Sequence, residues 1–401
     1  MNGNPTGKVL HVIDSLNMGG AETWLVEMLR YARTHDTGLP PFDFLVAGGE
    51  RGVFDDEVKA LGSKIHYLPL RKGTTAAFSR GFREILRRER YAAIHDHQDY
   101  LAGWHFLFGA GQLPPVRAAH VHNPYYQLHN NYGVTRARRM KLRLGRFLLR
   151  RFATHIFGTS ARILTEYGIT ASTFPGQYVG PMHCAFDVSR YTGDHALNKR
   201  EVLAEMGWPE DTRLVLFAGR LDVSTRIGHP NNHKNSAYAL EVIRACAGDD
   251  TRMVMAGAND FILHEFTELI AEKGLSDRVK LLGVRKDMVR LMLAADVLLF
   301  PSRAEGMGMV AIEAQAAGLP VLASTAVPDE VTVLNELVDF CSLDTPFPEW
   351  ATRLERMALE RRPRGTVSDP RWLSSPFNLP VGCALLAEVY AGRGVQKLTA
   401  A

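Results

Sequence analysis

The chain is 401 residues long, 46% hydrophobic and 22% charged, with 47 basic against 43 acidic residues and a formal net charge of +4. This composition excludes a disordered or collagen-like chain, and the length suits two domains of roughly 150–200 residues each. So even a charge balance also excludes a chain built as a whole to bind nucleic acid. Cys184, Cys246, Cys341 and Cys383 lie far apart and form no Cys-x-x-Cys pair, which fits a reducing, cytoplasmic setting. No apolar run reaches the ~18–20 residues of a membrane span, and the segment 1–8 has no signal-peptide core. Any meeting with a membrane is therefore expected at its cytoplasmic face.

In chain order, Lys8 to Ile13 is a short apolar run and reads as a buried strand. The loop Asn17-Met-Gly-Gly20 follows, then a helix from Ala21 to Ala32 with Leu25, Met28, Leu29 and Ala32 on one face. The dinucleotide fingerprint Gly-x-Gly-x-x-Gly is absent from this strand-loop-helix unit. Further strands are predicted at Phe42 to Ala47, Lys64 to Leu68, Tyr91 to His95, Arg117 to Val121 and Thr154 to Gly158, separated by helical patterns such as Phe78 to Arg90. This alternation predicts an α/β domain with a doubly wound parallel sheet.

Two His-x-His pairs, His95/His97 and His120/His122, fall at strand ends. Residues i and i+2 on a strand share a face, the arrangement that clamps a metal. Asp96 and Asp99 are near in sequence, but no Cys cluster or His-Glu-x-x-His accompanies the pairs, and no metal site is expected. His97 and His122 are expected to point beyond the carboxyl ends of the strands, where ligands collect in such sheets. From Arg136 to Arg151 there are eight basic residues and no acid, with Met140, Leu142, Leu144, Phe147 and Leu148 interleaved. A solvated helix face ordinarily mixes in acids, so the reading is a basic amphipathic helix for an anionic membrane surface. No aromatic stacking platform for nucleic acid goes with it.

The pattern becomes irregular from Gln177 to Tyr191. We place a domain boundary there, with domains at 1–188 and 189–374 and a terminal segment 375–401. The second domain opens with the strand Arg213 to Ala218, followed by Gly219-Arg220, a long spacer Leu221 to His233, Lys234-Asn235 and a helix Ser236 to Cys246. Strands are predicted at Arg252 to Gly257 and Arg278 to Gly283, the latter followed by Val284-Arg285, then at Pro320 to Ala323 and Val338 to Phe340. A last helix covers Val381 to Tyr390.

The organising stretch is Glu305-Gly-Met-Gly-Met-Val-Ala-Ile-Glu313, which leaves the apolar strand Ala295 to Phe300 and enters a helix from Met309 to Ala317. A strand, a glycine loop and a helix N-terminus make an anion site, because first-turn amides are unpaired and the helix dipole adds positive charge. At Gly306 and Gly308 a ligand can lie against the backbone. Carboxylates at both ends of an anion site make sense if the ligand also carries hydroxyls. Arg220, at a strand's carboxyl end, and Lys234, on the N-terminal side of a helix, are placed to reach the same phosphate. Arg226, in the long spacer, is the alternative to Lys234.

Glu305-Gly with Glu313 resembles the nucleotide-sugar site of retaining glycosyltransferases of family 4, including exopolysaccharide and capsule types, which have the GT-B fold. The resemblance spans nearly the whole chain, though its specific motifs lie in the second half. It implies two Rossmann-like domains facing each other across a cleft, with the terminal helix crossing back to the first. It also implies that Glu313 binds the ribose diol, that Glu305 holds sugar hydroxyls, and that the amides of Gly306, Met307, Gly308, Met309 and Val310 bind sugar and diphosphate. Arg220 and Lys234 match the family's phosphate cations. Gly19 and Gly20 are further donor-side candidates, and Val284 and Arg285 match the base-binding backbone. Ala119-His-Val-His-Asn-Pro124 resembles the family's histidine loop, with His122 beside the transferred sugar. The expected activity is metal-independent, retaining transfer from a UDP- or GDP-type sugar to a saccharide or lipid-linked acceptor at the cytoplasmic membrane face. Rival readings are a GT-B-like sugar-nucleotide epimerase or hydrolase, a metal hydrolase built on the histidine pairs, and a non-enzymatic nucleotide-binding scaffold.

Overall fold

The computed structural model describes residues 7–125, 135–257, 261–360 and 366–393, which divide into two compact units. The first takes in the chain as far as Asp187 and again from Pro376, and Val188–Ser375 belongs to the second.

The first unit is a parallel sheet of β1 (Val9–Ile13), β2 (Phe42–Val46), β3 (Ile65–Tyr67), β4 (Ala93–Asp96), β5 (Val116–Val121), β6 (His155–Gly158) and β7 (Tyr178–Pro181), in the order β3-β2-β1-β4-β5-β6-β7. Every residue of β1, β2, β4 and β6 is buried, which is why none of them shows a regular alternation of apolar and polar residues. The crossovers are α1 (Gly20–Thr34), α2 (Asp55–Ala60), α3 (Thr75–Glu89), α4 (Ala102–Phe108), α5 (Arg136–Phe152) and α6 (Ala161–Glu166). α1 buries Trp24, Leu25, Val26, Met28 and Leu29, but Ala32, expected on that face, is exposed in the last turn. β7 falls inside the stretch expected to be irregular. Its Gly180-Pro181 is tolerated because it forms the sheet edge, where Pro181 gives up no ladder hydrogen bond to a further strand.

The second unit repeats the plan with β8 (Arg213–Ala218), β9 (Thr251–Ala256), β10 (Val279–Gly283), β11 (Val297–Phe300), β12 (Val321–Ser324) and β13 (Val338–Cys341), ordered β10-β9-β8-β11-β12-β13. Its helices are α7 (His195–Met206), α8 (Ser236–Ala245), α9 (Leu263–Glu272), α10 (Met288–Ala294), α11 (Met309–Ala316), α12 (Phe347–Leu359) and α13 (Pro370–Leu373). The apolar core gathers around Phe217, Phe266, Leu240 and Trp350.

The last helix, α14 (Leu379–Tyr390), belongs to the first unit. Phe186 and Asn378 form a parallel bridge that brings the chain back. Gly382 then packs so tightly that a Cβ there would stand 2.5 Å from that of Ala185. All four cysteines are buried free thiols, and among the described residues no helix is long and apolar enough to cross a membrane.

In both sheets the strand order reverses once, between β1 and β4 and between β8 and β11. At such a point adjacent crossovers leave on opposite faces, and a crevice opens beyond the strands' carboxyl ends. Gly19-Gly20 and His97 follow β1 and β4. Arg220 and the Glu305 loop follow β8 and β11.

Candidate functional site

In the second unit, the loop between β8 and α8 is built on one buried carboxylate. Asp222 accepts from the amides of His233 at 2.8 Å and Lys234 at 2.9 Å through Oδ1, and from that of Ser236 at 2.7 Å through Oδ2. Its own amide donates to Ser236 Oγ at 3.2 Å. Asn232, also buried, ties the turn by donating to the carbonyls of Ser224 at 2.7 Å and Arg226 at 3.0 Å. The spacer is therefore an ordered fold-back that presents Lys234 at a fixed place, with Asn235 in the left-handed region at φ 62°. Arg226, the alternative cation, is exposed on that loop, its amide on Ser224 Oγ at 3.2 Å. Asp222 lies within the Leu221 to His233 spacer, where no motif or periodicity marks it.

Lys234 Nζ donates to Glu305 Oε1 at 2.6 Å, with the two side chains 29% and 10% exposed. The ammonium also lies 5.4 Å from the centroid of the Phe300 ring at the end of β11. That ring bears on Gly308, where a Cβ would stand 3.0 Å from Phe300 Cε1 and the backbone is left-handed at φ 98°. Gly308 is the N-cap of α11, and the first turn of α11 holds no acid. The outward amides of Met309 and Val310 thus offer an anion a positive helix end. Met307 is buried, so only its main chain can meet a ligand, and Glu313 is half-buried on the second turn of α11. Across from the loop, Gly219 (φ 150°) has the methylenes of Lys234 3.4 Å from its Cβ position. Arg220 is exposed. It belongs to the same electrostatic neighbourhood: burial pulls the His233 imidazole below its ordinary value, Asp222 and Glu305 oppose this, and Lys234 and Arg220 add to it.

Val284 is 61% exposed. The Arg285 guanidinium is taken by Asp287 at 2.8 Å and Glu205 at 2.7 Å, so a ligand would meet main chain there. In the first unit Gly19 caps α1 with extended backbone, and a Cβ on it would collide with Glu22 Oε2. Gly20 has open space around its Cβ position.

The two His-x-His pairs meet, and a fifth histidine joins them. The parallel register of β1 and β4 sets His11 beside His95. His11 Nδ1 is 3.0 Å from His97 Nε2, and His97 Nδ1 is 2.9 Å from His122 Nε2, a continuous imidazole chain. His95 Nδ1 meets the Tyr390 hydroxyl of α14 at 2.8 Å, and Trp24 stands edge-on to His95, His97 and His120. Burial pulls His11 and His122 down to about 3 and holds His95, His97 and His120 well below the ordinary imidazole value. All five rings are neutral near pH 7. Next to them Asp99, left-handed at φ 51°, accepts from the amide of His122 at 2.8 Å and from Asn123 Nδ2 at 2.9 Å. Burial pushes that carboxyl up to about 6. The other nearby acid, Asp96, is spent on His105 Nδ1 at 2.7 Å.

Two doubly wound parallel sheets in one chain, one leading into a glycine loop and a helix N-terminus at its switch point, define the GT-B class of sugar-transferring enzymes. Residues 19–169 match the family model described as "Glycosyl transferase 4-like domain", and residues 212–340 match "Glycosyl transferases group 1". The chain belongs to this family of glycosyltransferases. EpsF of Bacillus subtilis (strain 168), assigned as a glycosyltransferase, is 27% identical over 376 residues, 89% of each chain. The capsular polysaccharide biosynthesis glycosyltransferase CapH of Staphylococcus aureus is 21% identical over 392 residues, covering 96% of this chain and 99% of its own. Anabaena Alr3699/HepE, solved in complex with UDP, superposes with a TM-score of 0.68 at 17% identity, covering 98% of this chain and 97% of that one.

Proposed function

We propose that the protein transfers a sugar from a UDP-type donor to a hydroxyl of a growing surface or exported polysaccharide, with retention of anomeric configuration. The observation that carries this reading is the Lys234–Glu305 pair at the β8/β11 switch point, beside the N-terminus of α11. There a cation for phosphate, a carboxylate for sugar hydroxyls and the amides of a helix's first turn converge. Support for the donor comes from Alr3699/HepE, solved with UDP-glucose, and support for the product class from CapH.

Glu313 accepts from the ribose hydroxyls, and Glu305 from hydroxyls of the sugar. The main chain of Gly306 to Val310 and the N-terminus of α11 hold the diphosphate, and Arg220 and Lys234 neutralise the charge that grows as the glycosidic C–O bond breaks. These two cations fill the role a divalent ion fills elsewhere, so transfer needs no metal. The acceptor oxygen bonds to the anomeric carbon on the face the diphosphate leaves, and its proton passes to the departing phosphate oxygen. His122 orients the sugar. The acceptor binds the first unit, whose basic helix α5 buries Leu148 and Leu149 and exposes Met140 and Phe147. A basic helix that also turns apolar side chains outward suits an acceptor anchored in anionic lipid.

The test is turnover of a panel of UDP- and GDP-sugars with lipid-linked and soluble acceptors, with the anomer of the product read by NMR. Stabilisation by UDP that disappears in Glu313→Ala is expected. Donor turnover without any acceptor would turn the reading to an epimerase or hydrolase.

A further inference from the structure

We propose that His97, His120 and His122 form a binding site for one divalent transition-metal ion of the imidazole-preferring kind, such as zinc or cobalt. One ring nitrogen from each of the three lies within 4.8 Å of the other two. His97 Nδ1 and His122 Nε2 are already 2.9 Å apart. Two nitrogens at ~2.0–2.1 Å from a tetrahedral zinc ion stand about 3.3 Å apart, so small ring movements complete the set.

A second observation points to a ligand. Both ring nitrogens of His120 are buried without a hydrogen-bond partner. The Met182 main chain is near enough to favour a proton on that ring but is not placed to bond it. A buried polar atom without a partner is costly, and a core ring of this kind ordinarily finds one. An ion on one nitrogen supplies it. His97 is also set up as a ligand. Its other nitrogen, Nε2, faces His11 Nδ1 at 3.0 Å. A proton held there leaves the Nδ1 lone pair for the ion, the arrangement by which a neighbour fixes a ligand's tautomer.

The neighbouring trio His11, His95 and His97 also clusters, but it is wholly enclosed and His95 Nδ1 is engaged by Tyr390. His122 is only half-buried, which gives the ion a way in and leaves a fourth position for water. Asp99, on the His122 amide at 2.8 Å, supplies negative charge beside a site whose ligands are all neutral. With three imidazoles and no carboxylate, the set selects zinc, cobalt, nickel or copper over magnesium, calcium or manganese. The ion therefore does not stand in for Arg220 and Lys234. It staples the ends of β4 and β5 and fixes the His122 ring.

The test uses the full chain without a histidine tag, titrated with cobalt(II) and followed by visible absorption. One equivalent with the intensity of a four-coordinate ion is expected, displaced by zinc. His122→Asn and His120→Gln should each weaken binding at least about 10-fold. His264→Asn, at a histidine whose side chain is 81% exposed, should leave it unchanged. Because His122 is at the surface of the cluster, its variant keeps the test valid if the His120 variant fails to fold. Absence of the cobalt bands in the wild type, or their persistence in His122→Asn, overturns the site. Neither measurement involves a sugar donor, so this proposal and the transfer reading stand or fall separately.

Discussion

Lys234 Nζ donates to Glu305 Oε1 at 2.6 Å although 71 residues separate them. The lysine follows β8 and the glutamate follows β11, the two strands that flank the sheet's reversal. The pair has two consequences for a donor. Glu305 holds the Lys234 ammonium at a fixed place, and Lys234 in turn fixes the carboxylate proposed to meet the sugar hydroxyls. We expect Lys234→Ala to lower kcat by about 100-fold or more, the scale of losing one electrostatic contact to developing charge. Glu305→Ala should lower kcat comparably while changing UDP affinity by less than about 3-fold, because UDP lacks the transferred sugar whose hydroxyls Glu305 is proposed to hold. Calorimetric UDP binding with steady-state kinetics separates the two. Equal loss of UDP affinity in both variants would contradict the division of roles.

Asp222 should behave as the keystone of the β8–α8 loop. Asp222→Ala strands the amides of His233, Lys234 and Ser236. At about 1 kcal/mol or more for each unmade buried bond, a loss of roughly 3 kcal/mol in urea unfolding is expected, with activity reduced as in Lys234→Ala. An unchanged midpoint would show that water replaces the carboxylate.

Gly308→Ala tests the N-cap of α11. The residue would have to hold φ 98°, a strain of about 1–2 kcal/mol for an L side chain, with its Cβ 3.0 Å from the Phe300 ring. Weaker UDP binding is expected together with a lower melting temperature. A lower melting temperature with unaltered UDP affinity would mean that the α11 amides do not hold the diphosphate.

These residues also mark how far the chain could be read without coordinates. The central strands were legible because burial on both faces leaves an apolar run, and the 305–313 stretch because strand, glycine and helix signals follow one another directly. β7 escaped since an edge strand can contain Gly180-Pro181 without cost to its neighbour. Asp222 escaped because a loop that folds back over 12 residues leaves no periodic trace. His11 escaped for a related reason. A single histidine among apolar residues carries no spacing signal, and only the β1–β4 register puts it against His95. Pairs within one strand are visible in sequence, whereas a cluster assembled across three strands is not.

The second unit carries a pH prediction at Asp296. Burial pushes this carboxyl up, but the His195 contact, Lys199 Nζ at 2.8 Å and the Leu214 amide at 2.7 Å outweigh it and hold it below the ordinary value. The unfolded carboxyl titrates near ~3.9. With the folded value lower, the unfolded chain binds the proton first as pH falls, so stability from Asp296 is full above about pH 4 and is lost below it. Asp296→Asn should cost about 3 kcal/mol near pH 7, where it leaves Lys199 unpaired. It should also flatten the stability curve below about pH 4. Denaturant titrations at several pH values check both, and parallel wild-type and variant curves would refute the assignment.

α5 turns an apolar row outward beside its basic residues. Gly145 lies close against α4, its carbonyl 2.5 Å from where a Cβ of Gly103 would be, so the helix is pressed onto the unit along one side. Met140, Leu144 and Phe147, spaced by four and three residues, are 69%, 41% and 61% exposed. An outward apolar row that gains nothing from water is stabilised when a bilayer covers it, and basic residues near anionic lipid add about 1 kcal/mol each at low salt. Binding to vesicles containing phosphatidylglycerol is therefore expected, absent with phosphatidylcholine alone and weakened as salt rises. Lys141→Glu with Arg143→Glu should reduce the salt-dependent part. Leu144→Ser with Phe147→Ser should leave the salt dependence but lower the affinity overall. If charge reversal alone abolished binding while the apolar changes had no effect, the row would not enter lipid and α5 would meet only the anionic headgroups.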